Sequence, residues 1–362
     1  MHLFEIGLAC LAAALNYRLS LASRPRWLLL TIWTTLSLST MAADAIRLFE
    51  WLPAVHWLRS AGVVWFVASI PILVAKSLWK RATRPGVDPQ RRHVLKATAA
   101  LALTPLSGIG FAIHKANRDA VVKEVVLPIP GLPQDLRGLR LLHISDMHVS
   151  SFFPIERLRR VVDQANSLNP DLALITGDLI TSYGDPLEET ILELARLRAS
   201  SGIWGCLGNH EIVAEAEDKT TLLGQRAGIH FLRSQSRRLH FGKAAINLAG
   251  VDYQRKGSRY LSKSGQLIQK GDLNLLLSHN PDVFEKAAIQ GWDLTLAGHT
   301  HGGQINLEIL HRGLNPAAFY TPFTYGVYRH ANAAMYVTSG IGTVGVPARV
   351  GTDAEIALIR LA

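Results

Sequence analysis

The sequence predicts an α/β fold, a layered β-structure flanked by helices, preceded by an α-helical membrane region. Three observations lead there. Six of the eight tryptophans (Trp27, Trp33, Trp51, Trp57, Trp65, Trp79) fall in the first 80 residues, where long apolar runs alternate with short basic connectors. That is the aromatic-belt pattern of membrane spans. From about Ala120 short apolar runs alternate with amphipathic stretches, the texture of a sheet covered by helices. The polar motifs then sit where the apolar runs stop, and in open α/β sheets ligands collect at the carboxyl ends of strands.

Four spans can be drawn in the first part, about Leu3 to Leu19, Trp27 to Ile46, Ser60 to Leu78 and Val94 to Ile113, each near the roughly 20 residues a helix needs to cross the hydrocarbon core. The first contains Glu5. Read instead as a cleaved signal peptide it fits poorly, because no basic residue precedes its apolar run. Lys and Arg accumulate on the cytoplasmic side of short loops. The first connector (Arg18, Arg24, Arg26) and the third (Lys76, Lys80, Arg81, Arg84, Arg91, Arg92, Lys96) are therefore expected inside, and everything after about residue 114 outside. "QRRHVLK", residues 90 to 96, is similar to the twin-arginine export motif but departs from it at Gln90 and Val94 and lies internally, and an ordinary cytoplasmic anchor of basic residues accounts for it better. The expected division is residues 1–113 as a membrane region of about four helices, 114–137 as linker and first strand, and 138–362 as a catalytic domain.

In the second part, "AVVKEVVLPI" reads as a strand and "LRLLHIS" as a buried strand ending at Asp146. "PIERLRRVVDQANSL" puts Ile155, Leu158, Val161, Val162 and Ala165 on one helical face. "DLALIT", a helix from about Pro186 to Arg198, and "GIWGCLG" follow. "RRLHF" and "AINLAGV" make a hairpin, "LNLLLS" is a buried strand, and Asn280 with Pro281 start the helix "PDVFEKAAIQ". "DLTLAG" is the last buried strand of the series.

The strand ends carry Asp146 and His148 ("SDMH"), Asp178 ("TGDLI"), Asn209, His210 and Glu211 ("GNHE"), His279 ("SHNPD"), and His299 with His301 ("GHTH"). Each alone is an ordinary turn, cap or core histidine. Together they are carboxylates, imidazoles and a carboxamide without thiolates, a donor set that suits Mn, Fe or Zn rather than a structural zinc knot or a calcium site. There are more donors than one ion requires, and paired divalent ions are a recurring device for hydrolysing phosphate esters.

The motif order resembles the calcineurin-like metallophosphoesterase superfamily, and the spacing, including "GHTHGGQ" and "YVTSGIGT", is similar to its bacterial membrane-associated branch. The resemblance covers roughly residues 120 to 362. It implies an αββα sandwich in which Asp146, His148 and His301 bind one metal, Asn209, His279 and His299 a second, and Asp178 bridges them. It also implies that His210 protonates the leaving alkoxide while a metal-bridging hydroxide attacks phosphorus in line. Where the family often has an aspartate three residues after the bridging one, this chain has Thr181. His143, His230, His240, His311 and His330 are expected to be structural, and His56 and His114 interfacial.

The function expected is therefore a membrane-anchored phosphoesterase with two divalent ions (Mn, Fe or Zn), acting on a phosphodiester or pyrophosphate-type bond. It is placed in a bacterial cytoplasmic membrane, multi-pass, with the catalytic domain on the outer side. Four spans exceed what an anchor needs, which leaves a lipid-linked substrate open beside mere tethering. The competing class is a non-catalytic membrane sensor or scaffold. Nucleic acid is not an expected partner: the net charge of +10 sits largely in the juxtamembrane connectors, where membrane lipids account for it. Cys10 and Cys206 make no disulfide framework.

Overall fold

In the computed structural model of the protein the described residues are 71–362 apart from 256, 310 and 311. The expected spans Leu3 to Leu19 and Trp27 to Ile46, and most of Ser60 to Leu78, lie outside them. The chain divides into two units, one of them Lys115–Val344 with Arg349–Ala362, and each is described by itself.

In the first unit, residues 71–82 are helical and are followed by α1 (Pro89–Leu101) and α2 (Thr104–Ala116). Asp88 caps α1 by accepting from the Arg91 N–H at 3.0 Å, with Pro89 at its first position. The expected span Val94 to Ile113 is thus corrected: it is two 13-residue helices broken at Ala102 and Leu103. Pro105 explains the break, because it has no N–H to offer and its ring would collide with the carbonyl four residues back. Among the described residues no helix is long and apolar enough to cross a membrane.

The second unit contains strands β1 (Val121–Leu127), β2 (Arg140–Ile144), β3 (Leu172–Thr176), β4 (Ile203–Cys206), β5 (Ile229–Phe231), β6 (Gln235–Phe241), β7 (Ala244–Gly250), β8 (Leu273–Leu277) and β9 (Leu294–Ala297). A short hairpin, β10 (Leu307–Ile309) and β11 (Arg312–Leu314), precedes β12 (Gly326–His330), β13 (Ala333–Val337) and β14 (Glu355–Leu361). The helices are α3 (Ile155–Ser167), α4 (Leu187–Leu194), α5 (Asn209–Val213), α6 (Glu217–Arg226) and α7 (Phe284–Gln290).

Two six-stranded sheets form, in the orders β1-β14-β2-β3-β4-β5 and β12-β13-β9-β8-β7-β6. β2 to β5 run parallel, as do β7, β8, β9 and β13, while β6 and β12 are antiparallel edges. Side-chain alternation explains the layering. One face of the first sheet sends Leu141, Leu172, Leu174, Trp204 and Ile359 to a core shared with Leu248, Leu275, Leu277, Leu294 and Leu296 of the second sheet. The opposite face packs Leu142, Ile144, Ala173 and Ile175 against Leu158, Val162, Ile191 and Leu194 of α3 and α4. The outer face of the second sheet packs Ala249 and Leu276 against Val283 and Ala287, and Ala297 and Met335 against Phe284. Helix, sheet, sheet and helix layers result, as expected.

The strands read from sequence are found within a residue or two, and Asn280 accepts from the Asp282 N–H at 2.9 Å as expected of a cap. One helix is shorter: the stretch expected to run to Arg198 ends at Leu194. Asn166 of α3 captures the chain there, donating to the Arg196 carbonyl at 3.0 Å and accepting from the Arg198 N–H at 2.7 Å. Those groups are then no longer offered to the helix.

Candidate metal centre

Every candidate residue follows the carboxyl end of a strand. Asp146 and His148 follow β2, Asp178 follows β3, Asn209 and His210 open α5 just after β4, His279 follows β8, and His299 and His301 follow β9. Five of them adopt the left-handed backbone region: Asp146 (φ 54°), His148 (48°), Asp178 (54°), His299 (72°) and His301 (52°). For a residue with a side chain this costs on the order of 1–3 kcal/mol each, and such strain persists where surrounding structure dictates it. Here the loops are pressed together. A Cβ on Gly298 would lie 2.2 Å from Asp146 Oδ2, so only glycine lets the "GHTH" segment pass. Buried Glu211 ties two further loops, accepting from the N–H groups of Asp178 (3.0 Å), Leu179 (2.7 Å) and Gly208 (2.7 Å).

The polar atoms converge. His148 Nε2 and His301 Nε2 are 3.1 Å apart, and His301 Nε2 lies 3.4 Å from Asp146 Oδ1. Asp178 Oδ2 is 3.0 Å from His279 Nε2 and 3.5 Å from His148 Nε2, while His279 Nε2 is 3.2 Å from His299 Nδ1. Three groups have their donor atoms within 4.8 Å of one another: Asp146, His148 and His301; Asp178, His279 and His299; and His148, Asp178 and His210. Asn209 Oδ1 is buried with no hydrogen-bond partner among the described residues.

Electrostatics divides the set. Burial pushes His148 and His301 well below the usual imidazole range and His299 down to about 4, so their rings are neutral and carry free lone pairs. Burial also acts to lower His279, but the charge and hydrogen bond of Asp178, with Asp146 behind, raise it to about 10. Asp146 is raised to about 6, first by burial.

These features fit divalent cations. Two imidazoles on one ion at about 2.0–2.1 Å place their nitrogens roughly 3 Å apart, as His148 and His301 are. A buried, unpartnered carboxamide oxygen is itself a ligand in waiting. The His279 ring is also oriented from behind: Nδ1 donates to the Thr176 carbonyl at 2.6 Å, which turns Nε2 toward the cluster.

His210 stands beside His148 with ring centroids 4.5 Å apart, its N–H donating to Asp178 Oδ1 at 2.8 Å and its Nδ1 to the Thr181 carbonyl at 2.6 Å. Thr181, the departure noted in the sequence, supports His210 through its carbonyl and approaches His148 Nδ1 at 3.4 Å through its hydroxyl. His143 is buried in β2 with Nε2 2.8 Å from Thr176 Oγ1 and belongs to none of the three groups. His230 stacks on Trp204.

Sequence reasoning missed three contributors. Tyr253 lies over His299, with Oη 3.5 Å from its Nε2 and ring centroids 5.4 Å apart. Arg349 is fully buried behind Asp146, and Glu355 accepts from the hydroxyls of Tyr325, Tyr336 and Thr338. A charged residue isolated between apolar runs near the carboxyl terminus was the only signal for the last two; Tyr253 gave none.

Comparison with known proteins agrees. The family model described as calcineurin-like phosphoesterase matches residues 139–303. The chain is 32% identical over 278 residues to a transmembrane protein with metallophosphoesterase domain of Danio rerio, covering 72% of this chain and 62% of that one. A bovine protein of the same name is 66% covered, so the chain spans about two thirds of the length of these relatives. An uncharacterized metallophosphoesterase of Campylobacter jejuni is 30% identical over 286 residues, with 76% of this chain and 72% of the relative covered. Phosphodiesterase YaeI of Escherichia coli is 26% identical over 284 residues, with 75% and 98% covered. With this likeness, and with an Asp/His/Asn constellation at the carboxyl ends of the parallel strands of two facing mixed sheets, the chain belongs to the calcineurin-like phosphoesterase family.

Proposed function

We propose that the protein is a membrane-anchored, metal-dependent phosphoesterase that cleaves a phosphodiester or pyrophosphate-type bond. The observation that carries this reading is the convergence of three overlapping Asp/His groups, two of which share Asp178. Asp146, His148 and His301 would hold one divalent ion and Asn209, His279 and His299 a second, with Asp178 as the carboxylate common to both. When bound, such ions polarise a phosphoryl oxygen and supply a nucleophile from water at neutral pH. The donor set suits Mn, Fe or Zn.

The chain's own residues do the rest. Asp146 and Asp178 bring two negative charges into a buried site, which favours cations there. The Thr176 carbonyl aims His279, and the Thr181 carbonyl aims His210 by accepting from Nδ1. His210 then has Nε2 free to hold a proton and pass it to the leaving-group oxygen. The membrane region lies within residues 1–113, residues 114–137 are the linker and first strand, and 138–362 form the catalytic domain. The tryptophan and lysine/arginine distribution supports a membrane region within residues 1–113, and the names of two relatives, transmembrane proteins with metallophosphoesterase domain, support membrane association in general. A lipid-linked phosphate ester is the substrate class that a multi-pass anchor best serves.

The test is metal content of the purified full chain together with hydrolysis of a chromogenic phosphodiester, with and without added Mn. Near two ions per chain and Mn-stimulated turnover are expected. A chain that binds metal yet stays inert beside an active control enzyme would favour the sensor or scaffold reading. For the substrate class, the full chain in vesicles should cleave a lipid phosphodiester faster than a soluble one; equal rates would leave the spans as a tether.

A further inference from the structure

We propose that Arg349 is a positioning residue for Asp146: its buried guanidinium clamps the backbone of residues 339–342, and that loop holds Asp146 in its ligating conformation. The inference rests on the reading of Asp146 as a metal ligand.

Arg349 has no solvent exposure, and among the described residues no carboxylate forms an ion pair with it. Its Nη1 and Nη2 donors go to main-chain carbonyls instead, while Nε has no hydrogen-bond partner among the described residues. Nη1 donates to Asp353 at 3.1 Å, and Nη2 to Ser339 at 3.0 Å, to Gly340 at 3.1 Å and to Gly342. Three of these four carbonyls belong to one tight loop, which turns them inward where water cannot reach. A planar fork of fixed donors can serve converging carbonyls at once; a lysine ammonium, a point charge on a flexible stem, matches them less well.

The other side of the same loop touches Asp146 and its neighbours. The Ile341 N–H donates to the Ser145 carbonyl at 3.1 Å, and the Gly342 N–H to the Asp146 carbonyl at 2.7 Å. Gly340, itself at φ 68°, lies so close that an added Cβ would meet Asp146 Cβ at 2.6 Å. Asp146 is in turn held at φ 54°, with its carboxylate accepting from the His299 N–H at 3.0 Å. The loop is therefore a wedge between a buried cation and a strained aspartate. Burying an arginine is unfavourable, and burial lowers it to about 10 against the favourable charges of Asp146 and Glu355, so it stays charged at neutral pH. Mere filling of the core would not need such a group; alignment of three carbonyls does.

The experiment uses the metal-free full-length chain, titrated with Mn by calorimetry, with near-ultraviolet circular dichroism and melting temperature recorded in parallel. Wild type should bind two ions. Arg349→Met should bind one of them at least tenfold more weakly while the other stays within threefold, and Arg349→Lys should fall between. Gly340→Ala, which keeps the arginine but displaces Asp146, should reproduce the selective loss. If Arg349→Met does not fold, the other two variants decide. Folded variants that bind both ions as tightly as wild type, even with a lower melting temperature, overturn the proposal and make Arg349 structural only. A wild-type chain that takes up no metal overturns the metal reading itself, a failure seen before any variant is made.

Discussion

The imidazoles of His148 and His301 face each other at 3.1 Å, both neutral and neither held by a carboxylate closer than 3.4 Å. On the other side of Asp178, His279 is pressed against that carboxylate at 3.0 Å and carries a raised pKa of about 10. Both halves pair one aspartate with two histidines, yet in one burial keeps the imidazoles neutral, while in the other the Asp178 charge holds His279 protonated. The supports differ as well. The Asp146 half leans on loops pressed together, the 339–342 turn and the close pass of Gly298. The His279 half is held by a hydrogen bond from Nδ1 to the end of β3 and by the long contact between His299 Nε2 and the Tyr253 hydroxyl. Identical ligand chemistry can thus be aligned either by sterics or by hydrogen bonding, and the two respond to different perturbations.

The comparison can be broken at its centre. Asp178→Asn removes the group shared by both halves and should abolish hydrolysis of a chromogenic phosphodiester, a loss beyond the roughly 10–100-fold typical of residues one shell out. Turnover near wild type would remove Asp178 from the centre. Next in size, His301→Gln and His279→Gln should each reduce bound Mn from two ions to one. Calorimetry on the pair should show opposite halves surviving; loss of both ions in each variant would mean that the halves are not separable.

A smaller effect is expected at Glu211→Gln. The neutral amide still accepts but its NH₂ end faces a backbone N–H, so stability should fall by about 1–3 kcal/mol. That corresponds to a melting temperature lower by about 2–4 °C per kcal/mol for a domain of this size. An unchanged melting curve would show that the three N–H bonds to Glu211 do not brace the loops. The smallest change belongs to Tyr253→Phe. Its contact with His299 is at the outer limit of a hydrogen bond, so turnover should change by no more than about tenfold, the worth of one ordinary hydrogen bond. A larger loss in kcat would give the hydroxyl a direct part in the chemistry.

Much of this was legible in the chain. Leu141, Leu172, Leu174, Leu275 and Leu296 lie in short apolar runs, and burial on both faces of a sheet is what such runs allow. The seven expected ligands and His210 were visible as polar residues that break those runs. The ends of some elements were not visible. Helix α4 stops early because Asn166 on another helix takes its last backbone groups, and no local pattern encodes that. The stretch from Val94 to Ile113 read as one apolar span, although Pro105 inside it marked the break that separates α1 from α2.

By itself the sequence determined the elements and the inventory of donors, because side-chain alternation and helix periodicity are local properties of the chain. Only the tertiary structure decided which donors meet. His148 and His301 are separated by 153 residues and become neighbours because parallel strands of two sheets end at one place. The left-handed backbone at Asp146, Asp178 and His299, and the burial of Arg349 against the Ser339 carbonyl, were settled there too. Strain and burial are set by what packs around a residue, and no residue carries its neighbours in its own name.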